Sequence, residues 1–257
     1  MSIGFFDSGV GGLTVLHKAM QQLPREHFIY YADTDNVPYG TKTNSEIKAL
    51  VIKAVEFIVS KKVEALVLAC NTATSVVVNE LRDLYDIPIV GMEPAIKPAV
   101  EISSGKKILV CATDRTLRED KLKHLIKDLN ADDIITLLSL QELVNYGEQF
   151  DFYSDNLMNY LHDIFDGVDW SEYHSIVLGC THFIFYKNII KSMIPNHIQV
   201  IDGNKGTVNR LLSLLDKNVS TSESHHATCN YYTSGREVSP LYFDHYMRFI
   251  SELKFLI

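Results

Sequence analysis

The chain is predicted to be an α/β protein of two similar lobes, each a mainly parallel sheet flanked by helices, facing each other across a cleft that holds the functional site. Three observations lead there. Apolar runs of strand length alternate with longer amphipathic stretches, and the series restarts after Glu101. Two of the apolar runs, LVLACNT (66–72) and IVLGCTH (176–182), also end alike, in a small residue, a cysteine and two polar residues.

In the first half, SIGFFDSG reads as a strand entering a glycine-rich turn, GGLTVLHKAMQQL as a helix and HFIYYAD as a second strand. NSEIKALVIKAVEFIVSKK follows as a long helix. Its Ile47, Leu50, Val51, Ala54, Val55 and Ile58 recur at three- and four-residue steps and make an apolar face that can cover a sheet. VEALVLACNT and IPIVGM supply two more strands.

The second half repeats this order: strand KKILVCATD, one helix through LREDKLKHLIKDL (117–129), strand DIITLLSL, a helical region, strand SIVLGCTH, a helix and strand IQVIDG. IGFFDSG then aligns with ILVCATD, LVLACNT with IVLGCTH, and IPIVGM with IQVIDG. KNVSTSESHHATC reads as a loop, CNYYTSG as one strand and SPLYFDHYMRFISELKFL as a helix returning to the first half. The lobes expected from this are 1–96 with 207–257, and 97–206.

Composition narrows the function. A net charge of −8 disfavours a broad nucleic-acid or anionic-lipid footprint, which depends on dense Lys and Arg. No apolar run approaches the ~20 residues of a membrane span, and the N-terminus lacks the plan of a signal peptide, so a cytoplasmic protein is expected. Cys70, Cys111, Cys180 and Cys229 show neither CxxC spacing nor disulfide density. The one close pair of metal-ligand residues, His225 and His226, sits in the polar loop, and no metal site is expected.

In open α/β sheets ligands bind beyond the carboxyl ends of strands, where both Cys70 and Cys180 fall. Two thiols from facing lobes suit the inversion of a carbon bearing an acidic hydrogen: one removes the proton from one face and the other returns a proton to the opposite face. A thiol titrating near ~8.5 can serve in either form after modest tuning. Asp7, ending the first strand, is the expected companion of Cys70, and His182 that of Cys180; Tyr39 and Glu148 are further polar candidates. Backbone N–H groups after Asp7 and Ser8, and around Asn71, Thr72, Thr181 and His182, offer places for carboxylates. Each feature also has a plainer reading: buried cysteines are usually small core hydrophobes, which suits Cys111 and Cys229. Asp7, Ser8, Thr113, Thr116 and His182 are ordinary capping or turn residues when taken singly.

Taken together, IGFFDSGVGGLTVL, YYADTDNVPYGTK, ALVLACNTAT, IPIVGMEPA, ATDRT and VLGCTHF resemble the glutamate racemases of the aspartate/glutamate racemase superfamily, in the family's order and over most of the chain. The resemblance implies cofactor-independent interconversion of L- and D-glutamate, supplying D-glutamate for peptidoglycan. It implies Cys70 and Cys180 as proton donor and acceptor, assisted by Asp7 and His182, with Glu148 a further participant. By position Ser8, Tyr39, Gly40, Asn71, Thr72, Thr113, Thr116 and Thr181 match substrate contacts. It also implies a homodimer; no regulatory protein partner can be named. Departures from the family pattern are Asp35, Asn36, Glu119, Leu122, Asn145 and Ile184. Racemisation of aspartate or another acidic amino acid, and a non-catalytic amino-acid-binding or regulatory role, are the competing readings. A pyridoxal phosphate enzyme is a weaker one, since no lysine stands out.

Overall fold

The computed structural model describes residues 2–215 and 227–253; His225, His226 and most of the expected loop lie outside them. The first half runs β1 (Ser2–Asp7), α1 (Leu13–Gln22), β2 (His27–Ala32), α2 (Asn44–Ser60), β3 (Val63–Leu68), α3 (Asn71–Leu84) and β4 (Ile89–Gly91). The second runs α4 (Ile96–Ile102), β5 (Lys107–Ala112), α5 (Asp114–Arg118), α6 (Asp120–Asp128), β6 (Ile135–Ser139), α7 (Glu142–Glu148), α8 (Asp155–Phe165), β7 (Tyr173–Leu178), α9 (Lys187–Met193) and β8 (Gln199–Asp202). Then come α10 (Asn204–Leu214), β9 (Thr228–Thr233), β10 (Arg236–Val238) and α11 (Asp244–Glu252).

The strands form two sheets, ordered β10-β9-β2-β1-β3-β4 and β6-β5-β7-β8. All pairings are parallel except the β9–β10 hairpin. The order β2-β1-β3-β4 recurs as β6-β5-β7-β8, so the repeat seen in the sequence is a repeat of topology. Even the irregularity is shared. Between β1 and β3 the register slips after Ser2, and between β5 and β7 it slips after Lys107, the equivalent position.

Parallel strands covered on both faces need side chains that bury either way, hence the continuous apolar runs. Alternate residues serve different cores. Phe5, Val67 and Ala69 join Leu109, Cys111 and Cys180 in one core extending through both lobes. Phe6, Leu66, Leu68 and Cys70 face α2 and α3, while Ile108, Val110 and Val177 face α4 and α6. A capping box between Thr43 and Glu46 starts α2, satisfying two of its first N–H groups.

Three elements differ from expectation. The single helix expected over 117–129 is two, because Glu119 is extended (φ −70°, ψ 136°). Tertiary contacts override helix propensity there: Arg115 Nε donates to Lys42 O at 3.0 Å and Asn44 donates to Glu119 at 3.4 Å, tying α5 to the first lobe. CNYYTSG is the first strand of a hairpin whose turn residues, Ser234 and Gly235, both have positive φ. Finally α11 packs on α1 but also reaches the second lobe, where Phe249 stacks on Phe152 with centroids 4.1 Å apart. Tyr246 Oη donates to the carbonyls of Gly147 and Glu148 at 2.9 and 3.0 Å, fixing the end of α7.

Candidate active site

Cys70 caps the start of α3, its Sγ accepting from the Ala73 N–H at 3.4 Å. Ser8 Oγ lies 3.4 Å from the same sulfur. The thiol is buried, and desolvation pushes it up to about 12, with the Asp7 carboxylate adding to the rise and the Ser8 and Ala73 bonds opposing it. It rests protonated.

Cys180 stands at the matching position after β7, preceding a 3-10 turn (Thr181–Tyr186). Its Sγ is 3.8 Å from His182 Nδ1, and His182 Nε2 lies 2.6 Å from Glu148 Oε1. Burial alone would favour the neutral ring. The bonds to Cys180 and Glu148 outweigh it and hold His182 well above the usual histidine range, as an imidazolium. An imidazolium at that distance can hand the sulfur a proton or steady its anion.

Asp7, wholly buried, ends β1 beside this group. Its Oδ1 accepts from the Gly9 N–H at 2.9 Å and its Oδ2 from Thr181 Oγ1 at 3.1 Å. Desolvation raises it to about 6, against the lowering pull of His182 and the Gly9 bond. One of these bonds thus runs across the cleft to the neighbour of Cys180, whereas the hydroxyl at Cys70 is that of Ser8.

The glycine-rich segment after Asp7 packs against the other lobe. A Cβ on Gly9 would overlap the Glu148 carboxylate, and one on Gly11 would overlap Thr181 and His182. Val10 N donates to Glu148 Oε1 at 2.8 Å. Carboxylates do bind these N–H groups, as expected of such a turn, but they are the protein's own Asp7 and Glu148.

Further along the cleft three buried hydroxyls meet. Thr72 Oγ1 is 2.9 Å from Thr113 Oγ1 and 3.3 Å from Thr116 Oγ1, and Thr113 donates to Thr116 at 3.0 Å. Thr113 caps α5, which presents this pair to the start of α3. Tyr39, buried against Phe6, donates its phenol to Asp33 Oδ2 at 2.6 Å. Desolvation and that carboxylate hold the phenol far above its ordinary range. Gly40 beside it meets Gln141, and a Cβ there would overlap the Gln141 amide.

Asn71, directly after Cys70, donates its Nδ2 to Met92 O at 3.4 Å and, with Thr116, Met92, Pro94 and Leu122, lines a pocket of about 400 Å³. The other expected residues meet in contacts along the facing ends of the two sheets: Ser8 at Cys70, Asp7 and Glu148 at Thr181 and His182, Thr72 at Thr113 and Thr116, and Gly40 at Gln141. Asp33, Arg115 and Gln141 were not anticipated, since one polar contact between distant segments leaves no periodic signal. Among the described residues no cluster of three or more His, Cys, Asp or Glu is placed to hold a metal, and no helix is long and apolar enough to cross a membrane.

This arrangement has close relatives. The chain is 50% identical over 238 residues to the glutamate racemase of Halothermothrix orenii, covering 92% of this chain and 94% of that protein. The crystal structure of glutamate racemase from Campylobacter jejuni subsp. jejuni superposes with a TM-score of 0.81 at 26% identity, over 99% of this chain and 100% of that one. The Escherichia coli glutamate racemase, in complex with L-glutamate and the activator UDP-MurNAc-ala, gives 0.80 at 28% identity over 96% and 94%. Residues 8–211 match the Asp/Glu/hydantoin racemase family, and the chain belongs to that family.

Proposed function

We propose that the protein interconverts L- and D-glutamate by proton transfer between Cys70 and Cys180, with no cofactor, and that the D-glutamate feeds peptidoglycan synthesis. The observation that carries this reading is the pair of buried thiols on facing lobes, each with its own polar partner, in a chain 50% identical to a glutamate racemase.

In one direction the Cys180 thiolate takes the Cα proton of one enantiomer. The electron pair is held as a carbanion delocalised into the α-carboxylate, and the Cys70 thiol gives its proton to the opposite face. The reverse reaction exchanges the roles. His182, held by Glu148, exchanges a proton with Cys180. On the Cys70 side Asp7, raised to about 6, can serve in either form, and the Ser8 hydroxyl steadies the sulfur by its hydrogen bond. The thiols lie within a nearly closed interface, with Cys70 5% and Cys180 7% exposed, so the lobes part to admit substrate.

Thr72, Thr113, Thr116, Tyr39 and Gly40 lie along the facing ends of the sheets and would hold the substrate, together with Ser8, Asn71 and Thr181. The lobes divide at 96/97 and 206/207, and the working unit is a homodimer, a reading that rests on the family resemblance. The test is NMR of the purified protein with L-glutamate in deuterated water, with chiral chromatography of the product. Deuterium at Cα and accumulating D-glutamate are expected; dominant turnover of L-aspartate would move the assignment to that substrate.

A further inference from the structure

We infer that Gln141 reads the side-chain carboxylate of the substrate and sets the preference for a five-carbon over a four-carbon diacid, an inference resting on the function proposed above. Gln141 is only 8% exposed, yet among the described residues neither its Nε2 nor its Oε1 has a hydrogen-bond partner. Burying an amide unpaired is costly, and such groups in folded proteins usually answer to something. The side chain projects from the second lobe onto Gly40 of the first, where a Cβ would overlap its amide.

Its place in the fold says what it would meet. Gln141 immediately precedes α7 and Glu148 ends that helix, about 10 Å away at 1.5 Å per residue. The Glu148 end bonds His182 beside Cys180, and the Gln141 end faces the Tyr39–Gly40 turn. Tyr39 shares a core with Cys70 and feels its charge, which puts this end on the Cys70 side of the site. A diacid with its α-carbon between the thiols lies along the facing ends of the sheets. Its far carboxylate accepts from Gln141 Nε2, while a diacid one methylene shorter stops roughly one carbon–carbon bond, about 1.5 Å, short.

The backbone of Gln141 is anchored independently of this role. Its N–H donates to Ser139 Oγ at 3.3 Å, and Ser139 donates to Asp114 at 2.6 Å, so the turn holds its shape when the side chain changes.

The experiment compares the wild type with Gln141→Leu, which removes the donor, and Gln141→Glu, which keeps the shape and reverses the interaction. Racemisation of L-glutamate and L-aspartate is followed by chiral chromatography, L-glutamate binding by calorimetry, and folding by circular dichroism. KM and Kd for glutamate should rise roughly tenfold or more in Gln141→Leu and further in Gln141→Glu, with kcat little changed and aspartate turnover unaffected. A merely structural role would lower turnover of both diacids together and show in the circular dichroism, most in Gln141→Glu, which would bury an unpaired carboxylate. Unmoved glutamate constants in folded variants, or equal losses on both diacids, would overturn the assignment while leaving the racemase reading intact. A wild type that binds glutamate without racemising it removes that reading, and calorimetry then decides the role of Gln141. A wild type that neither binds nor racemises glutamate removes both.

Discussion

Thr181 donates to the Asp7 carboxylate at 3.1 Å, so the residue that follows the second-lobe cysteine is bonded to the acid at the end of the first-lobe sheet. Each lobe thereby contributes to the environment of the other lobe's thiol. The same crossing recurs at Glu148, which takes Val10 N from the first lobe and His182 from the second.

Asp7→Asn is expected to trade activity for stability. Because the folded state raises Asp7 from 3.8 to about 6, folding favours its protonated form. That stability is complete below pH 3.8, falls as pH rises to about 6 and is absent above it. The variant should therefore match the wild type near pH 3.5 and exceed it by about 2–3 kcal/mol at pH 8, as measured by urea unfolding across pH. Racemisation should drop.

Cys70→Ser and Cys180→Ser should each lower racemisation in both directions by about 10²–10⁴, since a serine hydroxyl is a poor acid or base at neutral pH. Chiral chromatography starting from each enantiomer checks this. Near-normal turnover by either variant would remove that sulfur from the mechanism.

Glu148→Gln keeps the size of the side chain but removes the charge that helps to hold His182 protonated. The histidine should titrate lower, seen by NMR of the ring, and kcat should fall about tenfold or more without loss of fold.

Gly11→Ala would push against Thr181 and His182 at once. Turnover should fall roughly a hundredfold, because misplacing a catalytic group by about 1 Å costs that much. Circular dichroism should still report a folded α/β protein.

Much of the fold was legible because burial writes itself into sequence as repetition. The strand ends at Cys70 and Cys180 share a local motif, and their sheets share strand order and even the slip after Ser2 and Lys107. What escaped depends on contacts between distant segments. Nothing near Glu119 announces that Arg115 and Asn44 will anchor α5 to the first lobe and part the helix. Ser8 adds a hydrogen bond to Cys70 beside the Asp7 charge because side-chain direction at a strand end is fixed by packing, to which spacing is blind. Gln141 sits in an unremarkable stretch, and only the approach of Gly40 singles it out.

The two sulfurs, alike in sequence, differ in company: Cys70 has a serine hydroxyl and a peptide N–H, while Cys180 has an imidazolium. Mirror-image substrates have equal free energies in water, so their equilibrium ratio is one whatever the enzyme does. By the Haldane relation, kcat/KM for the two enantiomers must then be equal. The inequality between the sulfurs can surface only as a tighter, slower enantiomer and a looser, faster one.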